Sequence, residues 1–168
     1  MRTCFVLIVM LLLAPTGEAS AHKVCDRLLE DLGPARIAHL EDPRPRGALS
    51  VRAVCNLVAR EAKRQGAPPG LAISLGFYES GLLYKAAKDT KYLGPMAVDP
   101  RWCKDKERQC IPDAIGHLLW WKKKRKTWSK ALFAYSGGEV KGLSEKAFIR
   151  KTQHVAKILA LWSRLKED

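Results

Sequence analysis

Hydrophobic residues in most of the chain recur every three or four positions, which is the spacing of one face of an α-helix. From Ser50 this spacing predicts a helix that ends near Gly66, a residue type common at helix C-caps. Pro68-Pro69 predicts the start of a second helix, which is almost wholly apolar and ends at Glu79-Ser80-Gly81. Further helices are predicted at residues 23–31, from Asp113 to about Lys126, at 129–136, and from about Ser144 onward. The chain is therefore predicted to be mostly α-helical.

The segment 84–112 lacks the helical spacing. It is polar and rich in turn residues, and the alternation of polar and apolar positions within it is weak. We therefore expect at most a small β-hairpin between the second predicted helix and the helix that Asp113 opens.

The N-terminal residues have the pattern of a secretory signal peptide. Arg2 precedes an apolar run from Phe5 to Ala14, and the small residues Ala19-Ser20-Ala21 follow. The run is shorter than the roughly 20 apolar residues that a membrane-spanning helix needs. We expect residues 1–21 to be a cleaved signal peptide, so that the protein is exported to the periplasm or secreted. Residues 22–47 are then an N-terminal extension, and residues 48–168 form the main domain.

The cysteines beyond the predicted signal peptide form an even set: Cys25, Cys55, Cys103 and Cys110. Four cysteines allow three pairings, and the sequence does not choose among them. A Cys103–Cys110 bond would close a short loop, and Cys25 would then tie the N-terminal extension to the helix that carries Cys55. Neither a Cys-x-x-Cys motif nor a close Cys/His pair is present, so we expect disulfides and no metal site.

The net charge favours an anionic partner. The chain has 30 Lys and Arg against 17 Asp and Glu, a formal charge of +13. The densest block is Lys122 to Lys126, which would dock an anionic polymer or simply be the solvated end of a helix. A phosphate loop and an RNA-stacking motif are both missing from the sequence, and a signal peptide argues against nucleic acid. Acidic lipid and an anionic cell-wall polymer remain as partners.

One carboxyl group is distinguished by its neighbours. Glu79 ends the apolar helix predicted over residues 70–78, and Ser80-Gly81-Leu82-Leu83 follows it. A carboxyl partly removed from water by apolar neighbours is suited to general acid catalysis near neutral pH. The alternative is a helix-terminal glutamate that points into solvent.

Four segments in order resemble one known family. They are Gly66 to Ile73, Tyr78-Glu79-Ser80-Gly81, Leu93-Gly94-Pro95-Met96 and Ala131 to Gly138. The series resembles the SLT domain of lytic transglycosylases, a lysozyme-like fold related to goose-type lysozymes, over roughly residues 50–165. Asp113-Ala114-Ile115-Gly116 also looks like the Asn-Ile-x-x-Gly region of that family.

The resemblance implies cleavage of the β-1,4 bond between N-acetylmuramic acid and N-acetylglucosamine in peptidoglycan, with formation of a 1,6-anhydro ring. Glu79 matches the sole acid/base of the family, and Tyr135 matches a tyrosine expected to hydrogen-bond the acid or the N-acetyl group. Ser80, Met96 and Ser136 would contribute to the sugar subsites. No cofactor is implied. The expected partners are glycan strands of peptidoglycan, with an envelope-spanning machine or an inhibitor protein as further candidates, and we expect a monomer.

Two departures from the family pattern keep other interpretations open. Ala97 stands where the family usually has Gln, and Ser136 stands where it usually has Asn. Both favour a specialised or weak enzyme, or a wall-binding module without turnover. A hydrolytic lysozyme with Asp89 or Asp99 as second carboxylate is another alternative. The last alternative is a cationic secreted protein that disrupts membranes.

The aromatic residues are assigned to the core or to the substrate. One or two of the five tryptophans are expected to stack on sugar rings, and Trp120 and Trp162 are expected in the core. The C-terminal helix is expected to bury Phe148 together with Val155 and Ile158.

Overall fold

The computed structural model describes residues 16–42, 48–82, 92–104, 110–137 and 142–166, with side chains from residue 22 onward. Its helices are α1 (Thr16–Glu41), α2 (Val51–Gln65), α3 (Pro69–Ser80), α4 (Ile111–Arg125), α5 (Trp128–Tyr135) and α6 (Glu145–Leu165). Within these ranges the backbone forms no β-strand, and the prediction of a mostly α-helical chain is confirmed. None of the helices described is both long and apolar enough to cross a bilayer.

Helix α3 lies in the middle of the core. Every residue from Gly70 to Phe77 is buried, and α3 packs against both α2 and α6. Pro69 occupies the first turn, and Gly81 ends the helix in the left-handed conformation (φ 67°) with its N–H donated to Gly76 and Phe77 carbonyls. The predicted start and end of this helix are therefore confirmed. The last turn brings Glu79 from the core to the protein surface.

Helix α2 also agrees with its prediction. The Ser50 hydroxyl accepts a hydrogen bond from the Ala53 N–H at 3.2 Å, which satisfies one of the free donors of the first turn. Gly66 caps the other end in the left-handed conformation (φ 78°). Helix α6 begins in the same way, because Ser144 accepts from the Ala147 N–H.

The N-terminal helix is longer than predicted. The sequence predicts a helix over residues 23–31, whereas α1 extends from Thr16 to Glu41 with a kink at Gly33. Val24 and Leu28 are buried in the common core, and the Cys25–Cys55 disulfide joins α1 to α2. Gly33 has backbone angles outside the helical region (φ 71°, ψ 163°) and Pro34 follows it, so the first helical stretch ends close to the predicted residue 31 and a second stretch continues to Glu41. The first fifteen residues of the predicted signal peptide lie outside the described residues.

Two predictions about the last helices need correction. Asp113 is not the N-cap of α4: the helix begins at Ile111, and the Asp113 carboxylate accepts the Lys104 N–H at 2.6 Å from within the first turn. Phe148 is 42% exposed instead of buried, because the first turns of α6 extend past the core. Its ring contacts that of Phe133. Trp162, by contrast, packs against the core as expected.

The segment between α3 and α4 contains a tight turn. Leu93 and Val98 exchange backbone hydrogen bonds of 2.8 and 2.9 Å and form an isolated antiparallel bridge around the Gly94–Ala97 turn. In the described part of this segment the predicted β-hairpin is reduced to that bridge, while residues 84–91 and 105–109 are outside the description. The Cys103–Cys110 disulfide closes the segment against α4.

Candidate active site

The Glu79 carboxylate is held by residues from two other parts of the chain. Its oxygen Oε1 lies 3.2 Å from the Ser136 hydroxyl, which donates to it, and 3.0 Å from Nε2 of His154 on α6. The Glu79 side chain is 18% exposed and that of His154 is 29% exposed. Both contacts fall on one oxygen, and Oε2 has no hydrogen bond from the part of the chain that is described. A carboxylate fixed at one oxygen can present the other to a ligand.

Tyr135 lies beside this carboxylate but does not bond to it. Its hydroxyl donates to the Met96 carbonyl oxygen at 2.9 Å and not to Glu79, which was one of the two partners that the resemblance implied. Burial raises the pKa of Tyr135 far above its ordinary value, and the negative charge of Glu79 acts in the same direction. Tyr135 is therefore neutral and remains a hydrogen-bond donor.

Ser80 and Met96 lie behind the site instead of lining it. The Ser80 hydroxyl donates to the Pro95 carbonyl at 2.7 Å, and the Met96 side chain is buried. Gly76 permits this arrangement, since a Cβ there would lie 3.5 Å from the Pro95 oxygen and 3.0 Å from Leu82 Cδ2. These contacts anchor the Gly94–Ala97 turn on α3. The turn then fixes Tyr135 through the Met96 carbonyl.

A cavity of about 460 Å³ opens on one side of Glu79, and we call it the aromatic cavity. Its aromatic lining consists of Tyr92, Trp102, His117, Trp120, Trp121 and Tyr135. Trp102 and His117 stack with ring centroids 4.7 Å apart and planes 13° apart. Trp102 is 48% and Trp120 43% exposed, so the assignment of Trp120 to the core is wrong. Exposed, layered rings offer flat apolar surfaces to a ligand.

His117 is the polar member of this stack. Burial lowers the pKa of His117, and the negative charge of Asp99 offsets only part of that effect. The ring is therefore predominantly neutral near pH 7, and its stacking with Trp102 brings no charge into the cavity.

A second cavity of about 350 Å³ opens on the other side of Glu79, and we call it the basic cavity. The residues that line it and not the aromatic cavity are Leu143, Ala147, Arg150, Lys151 and His154. It shares Glu79, Ser136 and Gly137 with the aromatic cavity. The Glu79 carboxylate therefore lies at the junction of an aromatic and a cationic surface.

The structure describes one of the two candidates for a second carboxylate. Asp99 lines the aromatic cavity, and its carboxylate accepts hydrogen bonds from Nε and Nη2 of Arg101 at 3.0 and 2.8 Å. Asp89 lies outside the described residues. Of the predicted site residues, the structure thus brings Glu79, Tyr135 and Ser136 together.

Sequence reasoning missed His154. The four histidines are scattered in the sequence, and His154 belongs to no recognisable motif. Its position on α6 was the available signal, because residue 154 follows Lys151 by three positions and precedes Ile158 by four, and both of these are buried. A polar residue at the edge of that buried stripe faces the neighbouring elements.

No group of three or more His, Cys, Asp or Glu side chains in the described ranges is arranged to hold a metal ion. Comparison of the chain with protein-family models, with curated proteins and with solved structures gave no match in any of the three.

Proposed function

We propose that the protein is an exported, lysozyme-like lytic transglycosylase that cleaves peptidoglycan, with Glu79 as its sole general acid/base. The observation that carries the proposal is the position of Glu79: a partly exposed carboxylate, held at one oxygen, between two adjoining cavities. Sugar rings have apolar faces that pack on aromatic rings, which suits the aromatic cavity to a glycan strand. The two disulfides are compatible with export.

The first chemical step requires Glu79 in its protonated form. The carboxyl group donates its proton to the glycosidic oxygen, and the bond from that oxygen to the anomeric carbon of the muramyl residue breaks. The N-acetyl oxygen of the same sugar stabilises the positive charge at that carbon, so that no second protein carboxylate is needed. Oε2 is the donor because Oε1 is occupied by Ser136 and His154.

The second step returns the site to its starting state. The 6-hydroxyl of the muramyl residue attacks the anomeric carbon, and the Glu79 carboxylate takes the proton of that hydroxyl. A 1,6-anhydro ring forms, no water is consumed, and Glu79 is protonated again. Between the steps the carboxylate is ionised, and donation from Ser136 and from the Nε2–H tautomer of His154 stabilises its charge.

One observation favours a second candidate, a hydrolytic lysozyme. Asp99 lines the same cavity as Glu79 and would activate a water molecule on the opposite face of the sugar. Its carboxylate is engaged by the Arg101 guanidinium, which argues for a structural role. Glu79 would keep the role of general acid in this candidate, so the Asp99→Asn variant separates the two mechanisms.

The proposal is tested by release of soluble fragments from purified peptidoglycan sacculi. We expect release by the mature protein and a loss of about 10²- to 10⁴-fold in the Glu79→Gln variant, as for removal of a general acid. Glu30→Gln is the matched control, since Glu30 is exposed on α1. Equal release by wild type and Glu79→Gln would refute the assignment.

Two further readouts separate the non-enzymatic alternatives. A protein that pellets with sacculi but releases nothing would be a wall-binding module. Leakage of vesicles containing anionic lipid that persists in the Glu79→Gln variant would indicate membrane disruption, which requires cationic surface but no general acid.

A further inference from the structure

The two cavities adjoin at Glu79, and we refer to the pair as the groove. Three residues line both of them: Glu79, Ser136 and Gly137. A ligand that lies over the carboxylate therefore reaches both surfaces. An enzyme that cuts within a polymer has to hold the chain on both sides of the bond, and this groove provides two such surfaces.

The two ends of the groove differ in charge. The aromatic end presents Trp102 and Trp120, with Asp99 paired to Arg101. The basic end presents Arg150, Lys151 and His154, and among the described residues that line it Glu79 is the one acid. A neutral sugar needs hydroxyl partners and an apolar surface, but it does not need a cluster of cations. The basic end is therefore suited to a ligand group that carries negative charge.

Lys151 has the more unusual position of the two cations. It is 9% exposed, and its Nζ lies 4.4 Å from the centroid of the Phe133 ring. The same Nζ would be 3.7 Å from a Cβ on Gly137, which places the ammonium group at the junction of the cavities. Burial lowers the pKa of Lys151. Together with Arg150, which also lines the basic cavity, it gives that cavity two cationic side chains.

We propose that the basic cavity binds a carboxylate on the substituent of a muramyl residue, through Arg150 and Lys151. The inference rests on the proposed function and adds to it the part of the substrate that is recognised by charge. N-acetylmuramic acid carries a lactyl group whose carboxyl is free or extended by a short acidic peptide, whereas N-acetylglucosamine is uncharged. The two sugars alternate along the strand. Recognition of the charged one sets the register of the strand and thus selects which glycosidic bond lies at Glu79.

The test compares native sacculi with sacculi whose carboxyl groups have been converted to methylamides. Cleavage is followed with the wild type, and binding is followed by pelleting with Glu79→Gln, which does not require turnover. We expect half-maximal binding to methylamidated sacculi to need about tenfold more material than binding to native sacculi, as for loss of a hydrogen bond to a charged group. In the Glu79→Gln background, Arg150→Gln is expected to reduce this preference below about threefold. Lys151→Gln tests the second cation independently.

Lys157→Gln is the matched control, because Lys157 is exposed on the same helix and lines neither cavity. It removes the same charge and should keep the full preference. Strands stripped of peptide distinguish the two sources of the carboxylate: a preference that persists on them assigns the lactyl group, and one that disappears assigns the peptide. Equal binding to native and methylamidated sacculi would overturn the inference while leaving cleavage by the wild type intact. If instead the proposed function is wrong, the protein would prefer native sacculi in the binding assay, but the wild type would not cleave them.

Discussion

At the scale of single residues, the site is organised around one oxygen of Glu79. Its place at the end of an apolar helix makes Glu79 a candidate, and the resemblance of the motifs is what selects it together with Ser136 and Tyr135. The sequence does not predict their contacts. Ser136 directly follows Tyr135 in the chain but is 57 positions from Glu79, and His154 is 75 positions from it. Contacts between residues so far apart depend on how the helices pack.

We expect His154 to be a positioning residue for Glu79. In the His154→Asn variant, loss of the contact to Oε1 should lower kcat about tenfold or more, as for a hydrogen bond to a charged group. KM should stay within about twofold, because the carboxylate loses orientation and not substrate contacts. His39→Asn, which removes an exposed histidine from α1, is the control. Wild-type kcat in His154→Asn, measured on released muropeptides, would contradict this role.

His117 should make stability depend on pH in a known direction. Burial lowers the pKa of His117 below its ordinary value of 6.5, so below that pH the unfolded chain binds a proton at this ring that the folded chain does not. The free energy of unfolding therefore falls as the pH drops through this range, until the folded ring is protonated as well.

The measurement is the urea midpoint at about pH 7.5 and about pH 5. His117→Gln should lose less stability between the two values than the wild type does, whatever its stability at the higher pH. An equal or larger loss in the variant would show that His117 does not contribute to the acid destabilisation.

At the scale of helices, local signals predicted the boundaries best. Ser50, Gly66, Gly81 and Ser144 each act on neighbouring backbone groups, and the structure places a helix end at each of them. The predictions for Asp113 and Phe148 are wrong for non-local reasons. Asp113 accepts the Lys104 N–H instead of capping its own helix, and Phe148 lies where α6 extends beyond the core.

The disulfides are expected to stabilise to different extents. In the chain-entropy model, loss of the Cys25–Cys55 bond, with a separation of 30, should lower the free energy of unfolding by about 3–4 kcal/mol. Loss of the Cys103–Cys110 bond, with a separation of 7, should lower it by about 2–3 kcal/mol.

Double Cys→Ser variants of each pair, compared by urea denaturation of the folded protein, measure these losses. The first pair also fastens α1 to α2, so its removal should increase proteolysis near Gly33. A larger loss of stability from the short loop than from the long one would contradict this order.

At the scale of the whole molecule, two properties support the same account. The formal charge of +13 would attract the proposed enzyme to an anionic wall, and that attraction should weaken with salt. The groove across Glu79 brings together aromatic residues from α4 and cations from α6. The charge can be read from the sequence, but the groove cannot. Nothing in the sequence distinguishes Trp120 from Trp162, yet Trp120 is exposed and Trp162 packs against the core.

Mass spectrometry of the muropeptides released from sacculi in heavy-oxygen water distinguishes a transglycosylase from a hydrolase. We expect anhydro-ended products from the wild type, without heavy oxygen at the new sugar end, and none from Glu79→Gln. Products with reducing ends that carry heavy oxygen would contradict the transglycosylase claim. They would show attack by water and leave Asp99 and Asp89 as the candidates for the second carboxylate.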